Sequence, residues 1–300
     1  ADTYQNIIAT AKNNFKGCLT VLLAELFNCS LTAFLLGIPF FLLLGLGVYL
    51  TINVGENWAP LMIIALVIIV AGFVLAPQIN WKWWQKFPPD LPEEMALLLE
   101  QRLPFYQQLN EDDRREFRRR VFLFNYGHNF MPQVLEKMPL DGQVMIAAAP
   151  VTMTFKQEDF LFPKFENIIV YPHPFPSPQY ETTFHSSEIY EPDGVVMFCL
   201  EHVLRGYVDP RQFLNPAWYE YAKIYAITNS QALLGEWDQV DWKQLEQVSG
   251  FAYEAIERWI GLPDLDKQAM GIAYFFLFPN RFQQVLPGIF TQLQTTFHHK

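Results

Sequence analysis

Two long runs without charge near the N-terminus constrain this chain most. Leu31 to Ile52 reads LTAFLLGIPFFLLLGLGVYLTI, and Trp58 to Pro77 reads WAPLMIIALVIIVAGFVLAP. Each is about 20 residues, the length a helix needs to cross a hydrocarbon core of about 30 Å. Between Cys18 and Trp81 only Glu25 and Glu56 carry charge. A buried core helix is normally shorter and less uniformly apolar. Both runs are therefore expected to span a bilayer, joined through Asn53–Asn57 as a tight hairpin. Gly37, Gly45, Gly47 and Gly72 suit close helix packing in lipid, and Pro39 suits a kink. Lys12 and Lys16 precede the first run, Lys82 and Lys86 follow the second, and the turn has no basic residue. The positive-inside rule then puts both termini in the cytoplasm, and Trp81, Trp83 and Trp84 form an interfacial belt. The expected setting is multi-pass, in an inner or plasma membrane or a photosynthetic one.

In Tyr4–Asn28 the apolar residues Ile7, Ile8, Ala11, Phe15, Leu19 and Leu22 fall near helical spacing. Two readings stay open: an interfacial amphipathic helix, or an extension of the first span. No signal-peptide pattern is expected, because the apolar stretch starts late and no small-residue cleavage site follows it. The expected division is a juxtamembrane segment over 1–30, a transmembrane hairpin over 31–80 and a cytoplasmic domain over 81–300.

Beyond Lys82 charged residues return at ordinary density, so the 51% hydrophobic content is an average over two unlike parts. The net charge of −10 argues against nucleic acid as a partner, since phosphate binding needs clustered Lys and Arg. The one basic run, Arg114, Arg115, Arg118, Arg119 and Arg120, is interleaved with Asp112, Asp113 and Glu116 and reads as a solvated helix face. Cys18, Cys29 and Cys199 make neither a disulfide framework nor a CxxC zinc pair, which fits a reducing compartment.

After a stiff Pro88, Pro89 and Pro92 linker, helical spacing recurs from Asp90 to Phe124, with Asn110 as N-cap of the Arg-rich helix. Val144–Thr154 predicts a buried helix. Asn167–Tyr171 and Gly194–Leu200 predict strands, separated by a Pro-rich loop from Pro172 to Pro178. Further helices are predicted around Trp218–Ile227, Trp242–Ile260 and Lys267–Phe278.

Five pieces stand in order: LPFYQQLNEDDRREFRRRVFLF, an alanine-rich helix, IIVYP, VLRGYVDPRQFLNPAWYEYAKIYA and AYFFLFP. From about Asp90 onward this order resembles the Mlc titration factor A family of zinc-dependent peptidases. The resemblance implies a mostly helical α+β domain of zincin-like type. It also implies a motif helix on which two His at i and i+4 bind zinc while the Glu between them activates water. The matching stretch here is Asn215 to Lys223. Tyr219 stands at the first His, Lys223 at the second, and only Glu220 keeps the general-base position. The third ligand of the family is a carboxylate on a later helix, where this chain offers Lys267 or Ala273. With those donors replaced, no metal, no cofactor and no catalytic residue are expected. An ion pair of Lys223 with Glu220 or another carboxylate is expected in the metal's place.

Other candidates are weaker. Glu201–His202 lacks the His that an inverted motif needs at Phe198, so a surface or capping His is expected. His173 and His185, with Glu181 and Glu188 nearby, are expected in a solvated loop. His128 has no partner visible in sequence. Ser186 and Ser187 lie near His185 with nothing to order a triad, and no GxSxG, P-loop or dinucleotide fingerprint occurs. Among the dense aromatics, Trp218, Tyr221 and Tyr225 are candidate contact residues. The reading is a non-catalytic, membrane-anchored pseudopeptidase, a structural or docking subunit whose partners are other integral membrane subunits and the lipid bilayer. Two alternatives remain: an active peptidase using displaced ligands such as His173, His185 or His202, and a tether that sequesters a regulatory protein.

Overall fold

The structure is a computed structural model that describes residues 38–229 and 237–298. The segment 1–30, Cys18, Cys29 and the first residues of the first apolar run lie outside the described residues. The chain divides into two compact units between Pro88 and Pro89, inside the proline linker.

In the first unit, helix α1 (Ile38–Asn53) is apolar and α2 (Ala59–Lys86) follows it. Among the described residues α2 is the one helix long and apolar enough to cross a membrane. It runs through Pro77 rather than stopping there. Ile63, Ile64, Leu66, Val67, Val70, Phe73 and Val74 all lie on its exposed surface. A contiguous apolar face of this size is rare on a soluble monomer. The helices meet at Gly47, where a Cβ would lie 2.9 Å from Met62 Cγ. Thr51 Oγ1 donates to the Gly47 carbonyl at 2.8 Å and sits 3.4 Å from Met62 Sδ. Gly45 and Gly72 have nothing within 4 Å, so the close packing expected of them is confined to Gly47 among the described glycines.

In the second unit α3 (Glu93–Arg102), the short α4 (Pro104–Gln107) and α5 (Glu111–Gly127) come first. Asn110 caps α5, its side chain accepting from the Asp113 N–H at 2.9 Å, and Glu111, Asp112 and Asp113 fill the first turn. The arginines of α5 pair along the helix: Arg115 with Asp112, and Arg119 and Arg120 with Glu116. Arg114 also reaches Glu100 on α3 at 3.3 Å, and Arg118 donates to Tyr106 Oη on α4 at 2.6 Å, so the basic run is spent on its own helix and its neighbours.

A four-stranded sheet has the order β1 (Asn129–Pro132), β2 (Asn167–Tyr171), β6 (Val195–Cys199), β5 (Ser187–Tyr190). The first three are parallel, and β5 runs antiparallel to β6 at the edge. The apolar runs NIIVY and VVMFC suit strands whose neighbours and both faces are covered. The crossover from β1 to β2 carries α6 (Leu140–Met153), which is apolar all round and buried from Val144 to Met153. A helix of that composition belongs inside a domain. It packs against α3, α5, α7 (Leu200–Val208) and α8 (Pro216–Thr228).

Several elements differ from the sequence reading. The segment expected as a Pro-rich, solvated loop holds β3 (Phe175–Ser177), β4 (Tyr180–His185) and β5, with β3 and β4 paired antiparallel. Their sequences lack clean alternation, and pairing rather than pattern makes them strands. Trp242–Ile260 is two helices, α9 (Trp242–Ser249) and α10 (Tyr253–Ile260). Gly250, at φ 81°, ends α9 in the left-handed region that favours glycine. The α11 helix (Lys267–Leu277) is followed by α12 (Pro279–Val285) and α13 (Pro287–His298).

Candidate functional site

Helix α8 starts where Asn215 accepts a hydrogen bond from the Ala217 N–H at 2.9 Å, with Pro216 at the first helical position. Its start is held against α7 at Gly206, whose Cβ would lie 2.5 Å from Asn215 Cβ. Only glycine permits that approach. From this start α8 lies against the edge strand β5 and against α11.

Glu220 is 1% exposed, and its Oε1 accepts from Ser187 Oγ on β5 at 2.8 Å. Lys223 Nζ lies 3.2 Å from Glu220 Oε2, so the expected ion pair is in place one helical turn along. The ammonium also sits 5.3 Å from the centroid of the Tyr219 ring. Burial pulls the Lys223 pKa down, but Glu220 first, then Asp266 and Tyr180, pull harder, and the net shift is upward. Lys223 is therefore a cation at any physiological pH. Tyr219 Oη accepts from the Asp266 N–H at 2.8 Å, and burial together with the neighbouring Glu220 pushes its phenol far above the ordinary tyrosine value.

Zinc, implied by the resemblance, would have these side chains as its donors. A tetrahedral site of this type takes three protein donors, each deprotonated. Here one position carries a protonated phenol and the next a firmly held ammonium, which repels a dication. Lys267 turns away, donating from Nζ to the Val240 carbonyl at 2.7 Å, and Ala273 is buried in the core. The residues present do not fit zinc. Among the described residues no three His, Cys, Asp or Glu side chains are grouped to hold a metal ion.

The displaced candidates are each engaged elsewhere. His173 pairs with Glu201 at 2.9 Å, and Arg205 pairs with the same carboxylate at 2.7 Å. His185 is not in a solvated loop: it is buried, 2.9 Å from Glu188, because strand pairing draws it under the Phe175 and Tyr180 rings. His202 is no free surface residue: its ring stacks on Trp259 at 3.7 Å and hydrogen-bonds the backbone of Trp259 in the last turn of α10. His128 is buried, stacks on Phe124 and donates from Nδ1 to the Phe124 carbonyl at 2.8 Å; burial lowers its pKa to about 4. Cys199 is buried, and burial raises its thiol to about 11, which leaves little thiolate. Trp218, Tyr221 and Tyr225, expected as contact aromatics, are 2%, 0% and 2% exposed and belong to the core. The other faces of α8 pack on α6 and α11.

Sequence reasoning missed Tyr180 and Asp266, and it named Ser187 without its bond to Glu220. Asp266 carried a signal, because an Asp before a helix is an N-cap pattern, and it caps α11 through the Ala269 N–H at 2.8 Å. Ser187 and Tyr180 carried none, since strand pairing brings them in.

Residues 80–197 match the family model of glucose-regulated metallo-peptidase M90, the Mlc titration factor A-like family. Over that stretch the chain is similar to this metallo-peptidase family. The M90 match ends at Met197, ahead of α8, and so does not reach Tyr219, Glu220 or Lys223. An uncharacterized protein of Synechocystis sp. is 27% identical over 119 residues. That similarity spans 40% of this chain and 40% of the relative's own length. No solved structure matches the chain.

Proposed function

We propose that this chain is a non-catalytic, membrane-anchored pseudopeptidase that serves as a structural or docking subunit of a membrane protein complex. One observation carries the reading: the Lys223 ammonium, 3.2 Å from Glu220, holds the general-base carboxylate where the resembled enzymes place a metal. A carboxylate in an ion pair and a serine hydrogen bond is poorly disposed to take a proton from water. The cluster of Glu220, Lys223, Ser187 and Tyr219 acts as a buried electrostatic tie between α8, β5 and the start of α11. In this reading the domain has a zincin-like scaffold, and α1 and α2 form a transmembrane hairpin with both termini in the cytoplasm. The apolar, exposed surface of α2 supports the anchor.

Two measurements test the proposal. Hydrolysis of casein and of short peptides by the detergent-purified chain is expected to show no chelator-sensitive component. A chelator-sensitive activity abolished by Glu220→Gln would overturn the reading. Cross-linking in native membranes followed by mass spectrometry is expected to recover integral membrane proteins. Recovery of a soluble DNA-binding protein instead would favour a sequestering tether.

A further inference from the structure

A cavity of about 890 Å³ opens in the second unit where the C-terminal ends of α3, α7, α9 and α11 come together. It is separate from the Lys223–Glu220 cluster. Trp218 lines it, and Trp218 and Glu220, two residues apart on α8, point about 200° away from each other around the helix. The charge in its wall has one sign: Arg102, Arg211 and Arg281 line it, with no Asp or Glu, in a chain of net charge −10. None of the three belongs to an ion pair among the described residues, unlike Arg114, Arg115, Arg119, Arg120 and Arg205. Arg211 and Arg281 are exposed, and Arg102 is half-buried. Deeper in the wall, Tyr207 Oη stands beside Trp218 Nε1, and neither reaches a hydrogen bond of ordinary geometry. Both residues are more than nine-tenths buried. The remaining surface is largely apolar, with Phe276 and Leu277 beside Trp218.

We propose that this cavity binds an amphiphilic anion, with a phosphate or phosphate-ester head on Arg102, Arg211 and Arg281 and an apolar body against Trp218 and Phe276. The volume lies in the range of about 300–1,000 Å³ usual for small-molecule sites. Three unpaired guanidinium forks match the several oxygens and the charge of about −2 on a phosphate monoester better than the two oxygens of a carboxylate. Apolar walls with a few convergent polar groups then fix the orientation of the ligand. Arg102, in the last turn of α3, also complements the helix macrodipole. That role alone predicts a loss of stability on substitution and no response to phosphate.

The test uses the full chain in neutral detergent micelles, titrated calorimetrically with inorganic phosphate, with hexyl phosphate and with hexanol. A parallel series measures thermal unfolding in phosphatidylcholine nanodiscs with and without phosphatidic acid. Hexyl phosphate is expected to bind and hexanol not. Binding is expected to weaken roughly tenfold or more in Arg281→Gln and in Arg211→Gln. Both positions are exposed, so the fold survives. Arg205→Gln, outside the cavity, is expected to bind as the native chain does. Stabilisation by phosphatidic acid alone identifies a lipid headgroup as the source, and binding of hexyl phosphate identifies a free ester. The proposal is overturned if neither probe acts, or if both act equally on the native chain and on the Arg281→Gln and Arg211→Gln variants.

Discussion

Lys223→Met removes the cation beside a carboxylate that is 1% exposed, leaving Ser187 Oγ as its remaining close partner. Breaking a fully buried pair from one side costs about 3–5 kcal/mol. The Lys223 side chain is 28% exposed, so a loss of about 1–3 kcal/mol is expected from denaturant unfolding. The double variant Lys223→Met, Glu220→Leu is expected to regain most of it, because no charge is left stranded. Since the Lys223 pKa is raised, the pair's contribution is complete below the ordinary lysine value of 10.5 and is lost only as pH climbs through the higher folded value. His128 has the opposite sign. Its folded pKa is about 4 against an ordinary 6.5, so the unfolded chain binds the extra proton between those values. Stability is full above pH 6.5 and falls by about 3 kcal/mol as pH drops toward 4. His128→Asn is expected to flatten that slope in acid-unfolding curves.

At the scale of elements, Gly206 sets the crossing of α7 and α8. Gly206→Ala puts a methyl group 2.5 Å from Asn215 Cβ and 2.6 Å from its Cα. Backbone cannot swing aside as a side chain can, so a loss of about 1–3 kcal/mol is expected in thermal unfolding. The sidedness proposed for the anchor is read at the two ends of α2. In a cysteine-free background, Gly55→Cys in the turn between α1 and α2 is expected to react with an impermeant maleimide from outside intact cells. Lys86→Cys at the end of α2 is expected to stay unlabelled; the reverse pattern would refute cytoplasmic termini. Elements with a strong local signal were legible in the sequence: β2 and β6 as apolar runs, α5 through Asn110, and α8 as the helix around Trp218–Ile227. The strands β3, β4 and β5 were not, because Tyr180–His185 and Ser187–Tyr190 are polar and are held by their partners. That is why the burial of His185 and the bond from Ser187 to Glu220 could not be read in advance. The ion pair itself was legible, since residues three apart on a helix face one another.

For the whole molecule, an apolar helix and a domain similar over residues 80–197 to a metallo-peptidase family lie on one chain, and the function proposed for it turns on what the Glu220 cluster can hold. In the proposed reading, its Lys223 supplies the fixed positive charge that zinc would supply in the resembled enzymes. An ammonium keeps the electrostatics of a structural tie but supplies neither an open coordination position nor an acidified water. Elemental analysis of the full chain, purified in mild detergent and equilibrated with zinc at neutral pH, tests this most directly. The account predicts far less than one zinc per chain, unchanged in Glu220→Gln. One zinc per chain, lost in Glu220→Gln, would contradict it.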